Sequence, residues 1–270
     1  MDKTHHNVKL TNEKATLLIT LYAKALDFES ERPILNDKKA YEIFETLDYD
    51  FSRLGKDDNS IALVRAKEID DLVTQFIEQH KDAVVVYLGC GLDTRVSRIN
   101  PASGISWFDV DYPEVIDLRK YFYSDSDGYT MISKSLTDQS WLKRIPNDRA
   151  TLVIAEGVLE YLTKSSVKTL LNRITNHFES GELVFDVMNS FGMRMGKSEL
   201  KEQTGASHMW AVDDLRDIAQ MDPKIRIVSV LSPFDSKYMS MIKGEKRKLY
   251  TASSTNPEVK NVLRILVYEF

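Results

Sequence analysis

Residues 84–111 open with Val84-Val85-Val86-Tyr87-Leu88, turn on Gly89-Cys90-Gly91-Leu92-Asp93-Thr94-Arg95 and close on Asp109-Val110-Asp111. The continuous apolar, β-branched run is the pattern of a parallel strand buried on both faces. Glycines at its carboxyl end let a ligand approach the backbone closely. An acid about twenty residues beyond the glycines, at the end of the next strand, meets a ribose hydroxyl in Rossmann-type nucleotide sites. A dinucleotide site wants a third small residue three positions after the second glycine, beside the pyrophosphate, and this chain has Thr94 there. Asp93 adds a carboxylate that repels phosphate. Two glycines followed by an acid suit a nucleoside carrying a zwitterionic amino-acid tail, and S-adenosylmethionine is such a ligand. A bare strand-to-helix turn without ligand stays open on these residues alone.

The chain has 270 residues, 43% of them hydrophobic, enough for one large domain or a domain with an appended lid. A net charge of -5 argues against a sequence-independent grip on nucleic acid, which needs a basic face to release counterions. The basic cluster at 243–248 reads as a solvated helix face. One cysteine, Cys90, allows no intrachain disulfide and no cysteine-based zinc cage, and it suits a reducing, cytoplasmic setting. No metal site is expected: His5 and His6 are adjacent near the chain start, where such pairs are usually frayed and solvated. The first residues lack the apolar region of a signal peptide, and no stretch reaches the ~18 apolar residues of a membrane span.

Outward from the glycine turn, the preceding residues show helical periodicity. Ala15, Leu18, Ile19, Tyr22, Ala23 and Leu26 share one face over 12–27. Asp37 is placed to cap a second helix carrying Ala40, Ile43, Phe44 and Leu47, and Ile61, Val64, Ile69, Leu72, Val73, Phe76 and Ile77 mark a third over 60–80. Residues 1–80 are therefore expected to form a helical lid or extension before the nucleotide-binding unit at 81–270. Beyond the turn, strands are predicted at 106–110, 129–132, 151–155, 182–187, 225–231 and 262–268. Helices are predicted at 93–99, 112–123, 139–145, 164–178 and around 237–250. With the first strand this makes a seven-stranded, mostly parallel α/β sheet with helices on both faces. The glycine-bearing stretch at 190–211 reads as an irregular substrate-side insertion. Ligands of such sheets sit outside the carboxyl ends of the strands, next to Gly89, Gly91, Asp111, Ser135, Leu136 and Glu156.

Several of these motifs together resemble the leucine carboxyl methyltransferase family of class I S-adenosylmethionine-dependent methyltransferases. The resemblance is carried by Leu88-Gly89-Cys90-Gly91-Leu92-Asp93-Thr94-Arg95, by Phe108-Asp109-Val110-Asp111-Tyr112-Pro113-Glu114-Val115 and by Ala155-Glu156-Gly157-Val158-Leu159-Glu160-Tyr161-Leu162, with a weaker match at 210–215. It implies a Rossmann-like fold with S-adenosylmethionine as cofactor. It also implies that Arg65 holds the cofactor carboxylate, Gly89 and Gly91 lie under the methionyl part, Asp111 accepts from the ribose and Glu156 lines the pocket. Ser135, before Leu136, stands where the family places an acid at the adenine. Further departures are Tyr87 for a usual Asn, Lys24-Ala25 for Arg-Ala, and Lys38 after Asp37 instead of proline.

Each residue also has a plainer reading. Arg65 could pair with Glu68 or Asp70 on its own helix, Asp93 could cap the helix after the glycines, and Asp111 could cap the one after it. Glu156 follows an apolar strand, where an acid either faces a ligand or is costly to bury. Asp186, Met188 and Asn189 could shape an acceptor site or simply pack, and Tyr161 and Trp210 could be pocket walls or core. His208 is the only histidine near the expected insertion and the one weak candidate for a catalytic base. The expected activity is O-methylation, an oxygen of a small molecule or chain-terminal carboxylate displacing the sulfonium in line. A non-catalytic cofactor-binding module and an NAD-dependent oxidoreductase are the alternatives.

Overall fold

Along the chain a 3-10 turn (Asn12–Thr16) leads into α1 (Leu17–Phe28), followed by α2 (Lys38–Phe44) and α3 (Ser60–Gln79). Then come β1 (Ala83–Leu88), α4 (Arg95–Ile99), β2 (Ile105–Asp111), α5 (Pro113–Arg119), β3 (Tyr129–Ser133) and β4 (Ala150–Ala155). The second half holds α6 (Lys164–His177), β5 (Gly181–Met188), α7 (Ser190–Thr204), α8 (Arg216–Ala219), β6 (Arg226–Leu231), α9 (Gly244–Ser253), α10 (Pro257–Lys260) and β7 (Leu263–Glu269). These come from a computed structural model in which residues 6–54, 59–242 and 244–270 are described.

The seven strands form one sheet in the order β3-β2-β1-β4-β5-β7-β6. Pairing is parallel from β3 through β5, and β7 runs antiparallel to both its neighbours, with a register shift between Ile227 and Ser229 on β6. β1 is buried at every position because each face has its own helical cover. Val84, Val86 and Leu88 pack toward Leu170, Leu171 and Ile174 of α6, whereas Val85 and Tyr87 pack toward Ile69, Val73 and Phe76 of α3. The third N-terminal helix therefore covers a sheet face. α1 and α2 instead gather Leu18, Leu21, Tyr22, Ala40 and Ile43 with Phe51 into a separate apolar cluster that reaches Leu92 of the glycine turn.

All seven predicted strands are present, with no end displaced by more than one residue. Helical expectations at 93–99, 112–123 and 164–178 shorten to α4, α5 and α6, and 139–145 is a 3-10 turn, Gln139–Arg144. The stretch expected to be irregular at 190–211 is corrected: fifteen of its residues form α7, which Asn189 caps by accepting from the Gly192 amide at 2.8 Å. Its glycines suggested broken structure, but a Cβ at Gly192 would lie 2.4 Å from Val262 Cγ2, so that glycine serves a close approach. The basic stretch falls on the exposed helix α9, except Lys243, which lies outside the described residues, as does His5. His6 is not frayed: its ring stacks on Tyr121 at 4.0 Å.

Candidate functional site

The first three parallel strands and β4 end in a cleft of about 880 Å³, open solvent included, which α1 and its leading turn cover from the other side. Gly89, Gly91, Asp111, Ser135, Leu136, Glu156 and Arg65 all line it. The sheet order explains why, since β2, β1 and β4 are neighbours and the turns at their carboxyl ends converge. His208 does not line it; the ring packs 5.3 Å from that of Tyr161, which does, and burial lowers its pKa.

At the turn itself Gly91 has φ +53°, and its amide donates to Asp111 Oδ2 at 2.7 Å. Asp111 Oδ1 accepts from the amide of Tyr112, also at 2.7 Å. Burial nevertheless pushes the Asp111 carboxyl up to about 6. Each carboxylate oxygen has acceptor capacity beyond its one amide, and Asp111 lines the cleft, which is what accepting from a ribose requires. Asp93 accepts from the amide of Arg95 at 2.6 Å, one residue ahead of the cap position of α4, which Thr94 occupies, and also pairs with the buried Lys24 of α1. Burial opposes ionisation of Asp93, but Arg98 and Lys24 hold its carboxyl well below the usual range.

Behind the cleft lies a chain of buried ion pairs. Arg65 Nε donates to Glu156 Oε1 at 3.1 Å and its Nη1 to Asp186 Oδ2 at 2.8 Å. Arg95 donates to Asp70 at 2.7 Å and to Glu156 Oε2 at 2.6 Å, and Arg98 reaches Asp70 at 2.7 Å and Asp37 at 2.6 Å. The pairing of Arg65 with Glu68 or Asp70 is therefore corrected: Asp70 binds Arg95 and Arg98, and Glu68 takes a hydrogen bond from Ser236. Desolvating each ion costs several kcal/mol, and only this degree of mutual pairing compensates. Glu156 feels burial first, yet Arg65 and Arg95 keep it ionised below its ordinary value, so it is a fixed charge and a poor base. Arg95 also lies 4.9 Å over the Tyr87 ring.

The remaining expectations divide. Asp186 takes the Gly157 amide at 2.7 Å as well as Arg65, Asn189 caps α7, and Trp210 is core, whereas Tyr161 is a cleft wall. Ser135 bonds Thr137 Oγ1 at 2.9 Å at the cleft edge. Sequence reading expected a helical lid here without naming the residues that face the ligand: Glu13, Lys14 and Thr16 of the leading turn and Leu17, Thr20 and Lys24 of α1 line the cleft. One cue was available, a lysine between Leu21 and Ala25 on a face that buries, where Lys24 is only 4% exposed.

Residues 18–175 match the leucine carboxyl methyltransferase family. A tetracenomycin polyketide synthesis O-methyltransferase of Streptomyces glaucescens is 35% identical over 266 residues, covering 97% of this chain and 98% of that protein. An S-adenosyl-L-methionine-dependent methyltransferase of Gibberella zeae is 33% identical over 243 residues, 81% of this chain and 82% of the relative. Among solved structures, magnesium protoporphyrin IX methyltransferase from Synechocystis superposes with a TM-score of 0.50 at 10% identity, covering 86% of this chain and 94% of that one, a likeness of fold. With its glycine turn, its strand order and a match that spans most of its length, the chain belongs to the leucine carboxyl methyltransferase family and is an S-adenosylmethionine-dependent methyltransferase.

Proposed function

We propose that the cleft holds S-adenosylmethionine with Gly89 and Gly91 under the methionyl part, Asp111 at the ribose, Ser135 and Leu136 at the adenine, and Arg65 and Glu156 at the amino-acid end. The residues fit this group. Gly89 and Gly91 both have positive φ and line the cleft with backbone alone, and a Cβ at Gly89 would come 2.4 Å from Val158 Cγ2, so packing keeps this part of the cleft wall free of a side chain. Asp111 supplies a ribose acceptor, and Arg65 and Lys24 supply cations for a carboxylate. When bound, this cofactor supplies an electrophilic methyl on a sulfonium.

The acceptor in this reading is a carboxylate, or another oxygen acid, of a small molecule or chain terminus. One observation carries it: among the described residues lining the cleft there is no histidine, and Glu156, Asp93, Tyr161 and Cys90 are each engaged or held protonated. Glu156 and Asp93 are locked in ion pairs. Burial raises the Tyr161 phenol and the Cys90 thiol, so neither is an anion at neutral pH. A carboxylate, with a pKa near 4, arrives deprotonated. The chain's contribution is then to position the acceptor, exclude water and present fixed charges, worth up to ~7 to 11 kcal/mol by effective-molarity estimates. The acidic balance fits a partner other than nucleic acid. A reducing, cytoplasmic setting belongs to the same proposal, supported by the single buried cysteine.

A panel of carboxylic acids, phenols and short peptides assayed with methyl-labelled cofactor tests it. Carboxylates should be methylated at a rate nearly flat from about pH 6 to 8, and His208→Ala should change turnover only modestly. Methylation of phenols alone, rising steeply through one basic pKa and collapsing in His208→Ala, would replace the carboxylate by a general-base mechanism.

A further inference from the structure

On β2, Trp107, Asp109 and Asp111 project from alternate residues to one side, and only Asp111 lines the cleft. Asp109 is fully buried and accepts from Trp107 Nε1 at 2.9 Å and from the Tyr129 hydroxyl at 2.6 Å. Its Oδ2 also pairs with Arg119 Nη2 at 2.5 Å. Arg119 ends α5 with 1% exposure and turns its other donors elsewhere: Nε to the Tyr129 hydroxyl at 3.1 Å, Nη1 to the carbonyl of Gly91 at 3.1 Å and to that of Asp93 at 2.6 Å. Gly91 is therefore gripped at both ends of its backbone, the amide by Asp111 and the carbonyl by Arg119. Neither Asp109 nor Arg119 lines the cleft.

A buried guanidinium that spends two donors on loop carbonyls is expensive to desolvate, so a mere filler of this space would be apolar. Arginine suits the task because its planar fork reaches several acceptors at fixed angles, which a lysine cannot reproduce. Gly91 has φ +53°, and such a turn holds its shape only where neighbours over-determine it.

We propose that Arg119, anchored by Asp109, is a positioning residue for the cofactor: it clamps the carbonyls of Gly91 and Asp93 so that the turn and the Asp111 carboxylate keep their binding geometry before the cofactor arrives. This rests on the reading of Gly91 and Asp111 as cofactor residues. The clamp acts on binding and leaves the reacting atoms alone, so it belongs to KM for S-adenosylmethionine and to Kd for S-adenosylhomocysteine, with little in kcat.

The experiment compares Arg119→Lys, Asp109→Asn, Asp111→Ala and a core control, Val167→Ala, which is buried in α6 away from the turn. S-adenosylhomocysteine Kd is measured by calorimetry, with Tm and steady-state kinetics on the same preparations. The expected result is that Arg119→Lys and Asp109→Asn raise Kd and KM about tenfold, the effect of one lost charge-assisted hydrogen bond, with kcat at saturating cofactor within about threefold. Val167→Ala should lower Tm while leaving Kd alone. If Asp111→Ala weakens binding but the two clamp variants only lose Tm, as the control does, the clamp proposal is wrong and the cofactor reading stands. Should Asp111→Ala leave Kd unchanged, the cofactor reading itself fails. Should Arg119→Lys not fold, Asp109→Asn decides by the same criterion, and failure of both to fold would make the pair a folding requirement and overturn the proposal.

Discussion

Asp111 carries two loads that pull its charge in opposite directions. Burial pushes its carboxyl up to about 6, whereas hydroxyls donated to it favour the ionised form. In the proposed role, cofactor binding near pH 6 must release a proton, and affinity should weaken as pH falls below about 6, by up to ~1.4 kcal/mol per unit. Calorimetry with S-adenosylhomocysteine between pH 5 and 8 in two buffers of different ionisation enthalpy would show the slope and the proton. Asp111→Ala should abolish both and weaken binding by on the order of 2 kcal/mol at pH 7.5; a slope that survives the substitution assigns the proton to another group. Arg65 calls for a gentler change. Replacing it by Ala would strand Asp186 without its cation and leave Glu156 to Arg95 alone, at a cost of ~3 to 5 kcal/mol, so Arg65→Lys separates binding from folding. Glu160 offers a test of stability instead. Burial, then the neighbouring Asp186, raise its carboxyl to about 8, with Arg65 pulling the other way and Glu156 adding to the rise, and its Oε2 has no hydrogen-bond partner among the described residues. The folded chain therefore binds a proton that the unfolded chain has lost, and stability falls as pH rises from about 4.5 to 8. Glu160→Gln should remove that fall and raise stability at pH 8 by on the order of 2 kcal/mol relative to the parent, with little change at pH 5. Equal shifts in Tm at both pH values would show that Glu160 is ionised in the fold.

The elements show which sequence signals were legible and which were hidden. Strand and glycine-turn patterns rest on local chemistry, a β-branched run and backbone room, so β1 and its turn were readable from residues 84–91 alone. α7 was misread because glycine counts against helix by propensity, and what overrides propensity at Gly192 is a tertiary contact with Val262 and Met188 from elsewhere in the chain. The three N-terminal helices were visible by periodicity, but which of them would cover the sheet and which the cleft was not, since both faces need the same apolar stripe. The pairing of Arg65 was hidden for the same reason: its partners Glu156 and Asp186 are 91 and 121 residues away. The two glycines inside α7 turn this into a prediction. A Cβ at Gly192 meets side chains at 2.4 and 2.9 Å, whereas one at Gly196 meets nothing within 4 Å among the described residues. Gly192→Ala should destabilise by ~1 to 3 kcal/mol through overpacking. Gly196→Ala should stabilise by up to ~1 kcal/mol, by helix propensity and a stiffer unfolded chain. Urea denaturation of both variants checks the pair, and a stabilising Gly192→Ala would mean that α7 sits farther from β5 and β7 than described.

At the scale of the whole molecule, the strand order brings the ends of β2, β1 and β4 together, and the helical cover over them comes from α1 and its leading turn. That geometry is shared by nucleotide-binding sheets in general, so the fold alone does not choose a ligand. The choice lies in charge and in the shape of the turn. Among the residues lining the cleft are four acids, Glu13, Asp93, Asp111 and Glu156, against three bases, Lys14, Lys24 and Arg65. Lys24 is bound to Asp93, Arg65 to Glu156 and Asp186, and Lys14 to Glu114 at 2.9 Å, so among the described residues the lining bases are already matched by acids; one tail carboxylate paired with its own ammonium adds no net charge to this balance, whereas a diphosphate adds two negative charges. The turn adds an objection of packing. Where a dinucleotide site has a small third residue for close helix packing beside the pyrophosphate, Thr94 is wholly buried and hydrogen-bonded to Asp37, which holds the start of α4 in a different packing. A sulfonium nucleoside brings positive charge and a short zwitterionic tail, and both are compatible with a slightly acidic wall. S-adenosylhomocysteine at 100 times its Kd should therefore stabilise the chain by ~2.7 kcal/mol, while NAD at the same concentration should leave Tm unchanged. Differential scanning fluorimetry with the two ligands side by side, and with S-adenosylmethionine as a third arm, makes the comparison. A shift with NAD equal to that with S-adenosylhomocysteine would mean that neither Thr94 nor the acidic lining excludes a pyrophosphate, and that selectivity resides in contacts outside the turn.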